Sequence, residues 1–137
     1  MPDASEVVLK FDGGARGNPG PAAVGVVIAD PEGEVVHAVG ETIGEATNNV
    51  AEYRALLRGI ELAREHGASE LEIYGDSELV VKQVRGEYRV KDAGLKPLHA
   101  EARAALAGVD SWSFGHVRRE NNAHADDLVN QALDAAS

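Results

Sequence analysis

Four carboxylates in this chain, Asp12, Glu52, Asp76 and Asp126, sit where the local sequence would turn them toward a shared point. Asp12 follows the apolar run Val7-Val8-Leu9-Lys10-Phe11 and precedes Gly13-Gly14-Ala15-Arg16-Gly17-Asn18-Pro19-Gly20-Pro21. That stretch reads as a loop whose glycines let backbone approach a ligand closely. Asp76 closes a second strand-like run over residues 70–75. Asp126 shares a helical face with Val129, Asn130 and Leu133, whereas Asp127 falls on the polar side. Glu52 has two readings. Asn49-Val50-Ala51-Glu52 fits a capping box, in which Glu52 only satisfies an amide at the helix start. Glu52 also lines up with Leu56, Gly59, Ile60 and Ala63 on an apolar stripe, where a charge needs a partner. Asp76-Ser77 likewise fits an ordinary helix cap as well as a ligand position.

Acids aimed at one point repel each other unless a cation lies among them. Ligation by oxygen alone selects a hard ion, Mg²⁺ or Mn²⁺, over zinc. Two such ions roughly 4 Å apart form the clamp used for in-line displacement at phosphorus. Competing chemistries are missing from the sequence: there is no Ser-His-Asp order, no zinc spacing, and the glycine stretch lacks the Gly-Lys-Ser/Thr ending of a P-loop.

The elements that would position these acids follow from hydrophobic period. Residues 7–12, 22–29 and 34–43 read as three strands, the last two joined by the turn Asp30-Pro31-Glu32-Gly33, and connections this tight imply an antiparallel meander. Helical period runs from Asn49 to about His66, and Gly67 stops it. A fourth strand, residues 70–75, then lies parallel to the central strand through a right-handed crossover. Ser77 caps a short helix reaching Arg85, residues 86–94 form a polar connection, and Lys96-Pro97 opens a helix to about Ala107. A fifth strand covers residues 112–117, and Asn121 or Asn122 caps a final helix to Leu133. The expectation is one α/β domain over residues 1–137. Its mixed five-stranded sheet has three antiparallel strands followed by two parallel ones, flanked by helices. Asp12 and Asp76 would then emerge together at the carboxyl end of the strands, where open α/β sheets bind ligands.

The totals set limits. At 137 residues, with 44% hydrophobic and 26% charged residues, the composition is that of a soluble globular domain. The absence of cysteine excludes disulfides and thiolate metal sites. Met1-Pro2-Asp3-Ala4-Ser5-Glu6 lacks the basic start and apolar run of a signal peptide, and residues 22–29, the longest apolar run, are too short to cross a bilayer. The expected location is therefore cytoplasmic, without a membrane partner, and a monomer is expected because no large apolar stripe is left over. A net charge of −10 points away from a polyanion as partner. Against that, Lys82, Arg85, Arg89, Lys91 and Lys96 cluster with only Glu87 and Asp92 among them, which also fits a solvated face.

With these residues in hand, the chain resembles type 1 ribonuclease H over almost its whole length. The segments that carry the resemblance are Asp12-Gly13-Gly14 with Gly17-Asn18-Pro19-Gly20-Pro21, then Thr47-Asn48-Asn49-Val50-Ala51-Glu52, then Gly75-Asp76-Ser77, then Asn122-Ala123-His124-Ala125-Asp126. The resemblance implies that Asp12, Glu52, Asp76 and Asp126 are catalytic and hold two Mg²⁺ or Mn²⁺ ions. It implies cleavage of the RNA strand of an RNA–DNA hybrid, leaving a 3′-hydroxyl and a 5′-phosphate. It places Gly13 and Asn48 against ribose 2′-hydroxyls, the group that separates RNA from DNA, and an amide side chain can both donate to it and accept from it. Asn18, Thr47 and Asn49 would line the same groove against the DNA strand, although Asn18-Pro19-Gly20 is also a good turn and residues 47–49 a good cap.

The chain departs from the family's pattern in two places. Residues 86–94 are too few for the tryptophan-rich basic protrusion of many members, so weaker hybrid affinity with a steep salt dependence is expected. The flexible loop that carries a histidine before the fourth acid is replaced by Val117-Arg118-Arg119-Glu120-Asn121-Asn122. His116 is expected to pack on its strand and His124 to sit in the first helical turn. The loop histidine's role passes to neither, and Arg118 or Glu120 would line the site instead. Two other functions fit parts of the pattern: a catalytically silent hybrid- or RNA-binding module, and a related nuclease acting on double-stranded RNA or RNA–DNA junctions.

Overall fold

The computed structural model describes residues 5–136. The acidic start read above as lacking a signal peptide lies mostly outside them, in residues 1–4. Alternating apolar residues build β1 (Glu6–Ala15), β2 (Gly20–Ala29) and β3 (Val35–Ala46), which pair antiparallel. β4 (Glu70–Gly75) pairs parallel with β1, and β5 (Ser111–His116) pairs parallel with β4, giving the order β3-β2-β1-β4-β5. The meander and the crossover to a parallel strand are both as expected from the sequence.

The two faces of β1 have different neighbours. Val7, Leu9 and Phe11 point into the main core with Ile60, Ile73 and Phe114, beneath α1 (Asn48–Glu65) and α3 (Lys96–Ala107). The opposite face of the meander is covered by α4 (Ala123–Ala136), whose Val129 and Leu133 pack on Ala23. This helix lies directly on backbone. A methyl group at Gly25 would fall 2.3 Å from the Ala125 carbonyl oxygen, and one at Gly40 would fall 2.5 Å from that of Leu128. Side chains at either position would lift α4 off the sheet. Among the described residues, no helix is long and apolar enough to cross a membrane.

Several local expectations need correction. The glycine-rich stretch is mostly strand, since β1 continues through Gly13, Gly14 and Ala15 against Val24, Ala23 and Ala22, leaving residues 16–19 as the loop. Helix α1 is capped by Thr47, whose hydroxyl accepts from the Val50 amide at 3.2 Å, and not by a box built on Asn49 and Glu52. Asn121 and Asn122 do not cap α4. They belong to a 3-10 turn (Arg119–Asn122) that runs straight into it. Asn122 is buried and donates to the Phe11 carbonyl at 2.9 Å, pinning that turn to the end of β1. His116 does not pack. It is exposed, with Nε2 3.3 Å from the Asp76 carbonyl oxygen.

Candidate active site

The parallel ladder between β1 and β4 ends at the pair Phe11 and Gly75, so Asp12, on the part of β1 that runs on against β2, and Asp76, just past the end of β4, stand side by side. Helix α1, a little more than one turn past its Thr47 cap, brings Glu52 to the same place. Its Oε1 accepts from the Gly13 amide at 3.0 Å. Carboxylate oxygens of Asp12, Glu52 and Asp76 all lie within 4.8 Å of one another. Asp126 stands just outside this group, close enough to Asp12 to share a hydrogen bond, and Asn130 Nδ2 lies 3.5 Å from its Oδ2. Asp127 is exposed. Asp12, Asn48, Glu52, Arg119 and Asp126 line one open groove of about 440 Å³.

The electrostatics follow from that crowding. Burial, then the charge of Asp76, then the hydrogen bond and charge of Asp126 push the Asp12 carboxyl up to about 8. Burial, followed by the charges of Asp12 and Asp76, holds Glu52 well above the ordinary carboxylate range. The Gly13 amide and the Arg119 guanidinium pull Glu52 back in part, and Arg119 does the same for Asp12. The residues present fit a hard cation. They offer oxygens at ligand spacing, and Asp76 Oδ2 is buried with no hydrogen-bond partner. A bare buried carboxylate oxygen is costly unless a positive charge faces it.

A prediction about pH follows. In EDTA the folded chain holds protons on Asp12 and Glu52 that the unfolded chain would have released. Stability contributed by these groups is present below about pH 4 and is lost as pH rises toward about 8. Denaturant unfolding across this range is expected to show falling stability without metal, a flatter slope in Asp12→Asn, and a gain on adding Mg²⁺ that grows with pH.

The residues expected to meet substrate divide into two sets. Asn18 Oδ1 accepts from the Asn48 amide at 3.1 Å, and Asn48 Oδ1 accepts from the Ala15 amide at 2.9 Å. These bonds lock the loop of residues 16–19 to the start of α1, beside Gly13. They also occupy one lone pair of Asn48 Oδ1, leaving its NH₂ donors and a second lone pair to meet a ligand. The Thr47 hydroxyl is engaged in the cap, and Asn49 is exposed in the first turn of the helix. Arg118 is not brought to the acids: its side chain is 83% exposed, 3.9 Å from Glu120. The neighbouring Arg119 lines the groove instead, a residue the sequence reading missed. In the basic cluster, Lys82 is paired with Glu78 and Arg85 with Glu87, leaving Arg89, Lys91 and Lys96 exposed without an acidic partner among the described residues.

A mixed five-stranded sheet whose central parallel pair presents acids at its carboxyl end, with one helix on each face adding another, defines the ribonuclease H-like fold class. The family model described as Reverse transcriptase-like matches residues 10–132. Ribonuclease HI of Halobacterium salinarum is 49% identical over 92% of this chain, and the chain spans 63% of that protein's length. Ribonuclease H of Marinobacter nauticus is 33% identical, with 95% of each covered. LC11-RNase H1, isolated from compost, was solved in complex with an RNA/DNA hybrid. It superposes with a TM-score of 0.90 at 46% identity, covering 95% of this chain and 98% of that one. The chain belongs to the ribonuclease H family.

Proposed function

We propose that this chain is an endonuclease that hydrolyses the RNA strand of RNA–DNA hybrids with two Mg²⁺ or Mn²⁺ ions. The observation that carries the reading is the meeting of Asp12, Glu52 and Asp76 oxygens within 4.8 Å, with Asp76 Oδ2 unpaired. The hybrid bound by LC11-RNase H1 supports the substrate class. Asp12, Glu52, Asp76 and Asp126 would hold the ions, which supply a nucleophilic water at neutral pH and neutralise charge at phosphorus. Water adds to phosphorus as the bond to the 3′-oxygen breaks. The products are a 5′-phosphate and a 3′-hydroxyl, the leaving oxygen taking up a proton. Arg119 offsets part of the carboxylate repulsion, and the Gly13 amide fixes the Glu52 rotamer.

Asn48 would donate through its free NH₂ group to a ribose 2′-hydroxyl near the scissile phosphate. Asn48→Ala is expected to lower kcat/KM on the hybrid about tenfold, the worth of one well-placed hydrogen bond at about 1–1.5 kcal/mol. Loss of its bond to Ala15 adds a small fall in stability. Comparing hybrid with duplex RNA in this variant separates a hybrid-specific enzyme from a nuclease on double-stranded RNA. The reading itself is tested by incubating a strand-labelled hybrid with Mg²⁺, Mn²⁺ or EDTA. Cutting of the RNA strand alone, only with metal, is expected. A folded protein that binds hybrid but cuts nothing in either metal would make it a silent binding module.

A further inference from the structure

His37 on β3 and His66 at the end of α1 bring two imidazole rings to 5.1 Å between centres, tilted by 56°. Neither ring has a hydrogen-bond or ion-pair partner among the described residues, and both side chains reach solvent. We propose that this pair is a second metal site, for a borderline transition ion such as Zn²⁺.

The spacing supports it. Zinc sits about 2.0–2.1 Å from a ring nitrogen, and a tetrahedral angle between two such bonds places the ring centres about 5.2 Å apart. With no bond holding either nitrogen, each ring can turn one into the space between them. The ligand type differs from that of the acidic cluster. Imidazole suits Zn²⁺, Ni²⁺ or Cu²⁺, whereas Mg²⁺ and Mn²⁺ prefer carboxylate oxygens. The two sites are also far apart, since Glu52 and His66 lie at opposite ends of α1, about 21 Å along its axis. The C-terminal carbonyls of that helix place partial negative charge beside His66, and a net charge of −10 enriches divalent cations around the chain. Water would complete the coordination, so binding is weaker than at a closed structural site. An ion held there ties the outer strand of the sheet to the end of the helix crossing over it.

The test is a titration of ZnCl₂ into the whole protein in saturating Mg²⁺, read by calorimetry and by Tm. One Zn²⁺ per chain and a Tm rise of several degrees are expected. Both should be lost in His37→Ala and in His66→Ala and kept in Asp12→Asn. No zinc binding by the parent protein would overturn the proposal. So would unchanged binding in both histidine variants, or loss in Asp12→Asn alone. Because the readout is binding, it does not depend on the nuclease reading. Mg²⁺-dependent cleavage and far-ultraviolet circular dichroism, unchanged in the histidine variants, exclude misfolding.

Discussion

Asp12→Asn is expected to leave a folded chain whose cleavage of hybrid falls about 10³-fold, the equivalent of about 4 kcal/mol in the barrier. Asp12 is the shared member of the cluster. One of its oxygens lies within 4.8 Å of oxygens of Glu52 and Asp76, and it also neighbours Asp126, so under the proposed function its loss would weaken ion binding most. The amide keeps the shape and removes the charge. The same substitution should raise stability in EDTA near pH 8, because the buried, crowded carboxylate that costs the fold most is gone. Opposite signs in activity and stability are the signature of a site whose strain serves its chemistry. Parallel assays of strand cleavage and urea unfolding check it, and activity retained to within tenfold would end the assignment of Asp12.

Gly13→Ala should have the largest effect on stability, a loss of about 3 kcal/mol or more. A Cβ on Gly13 would lie 2.1 Å from the Ala51 carbonyl oxygen and 2.6 Å from the Glu52 amide nitrogen. Both are backbone atoms, so no rotamer change relieves the clash. The start of α1 must move off β1, carrying Glu52 away from the Gly13 amide that holds it. Activity should fall with stability, even where the variant folds. Gly14→Ala is the control: its nearest neighbour would be Val129 Cγ1 at 3.6 Å, an ordinary contact, so little change is expected in the urea midpoint. Equal midpoints for the two variants would sink the steric argument.

That contrast marks what could be read from the chain and what could not. Asp12, Asp76 and the stripe bearing Glu52 were legible because strand and helix periods extend over many residues and fix which side chains share a face. The role of Gly13 as a seat for helix backbone was not, because glycine carries no pattern to reveal what lies against it. Asn49 and Thr47 are both acceptable caps, and only the chain path settled on Thr47. The exchange of Arg118 for Arg119 has a similar cause. A single 3-10 turn over residues 119–122 is too short to show a period, yet it decides which of two adjacent arginines faces the acids. His116 was expected to pack because it sits on a strand, but the strand ends there and the ring lies outside the core.

The bond from Asn122 to Phe11 joins residues 111 positions apart, and α4 brings Asp126 to Asp12 across a similar stretch of chain. Closing a loop of that length is entropically demanding and rewarded late, after the meander and the first crossover have given α4 a surface. During synthesis Asp126 would therefore be the last of the four acids to arrive, after β1, α1 and β4 have brought Asp12, Glu52 and Asp76 together. A chain still lacking its final helix could build most of the sheet while Asp12 has no Asp126 beside it. The far end of the chain thus adds the fourth acid to a cluster that its first 76 residues already hold.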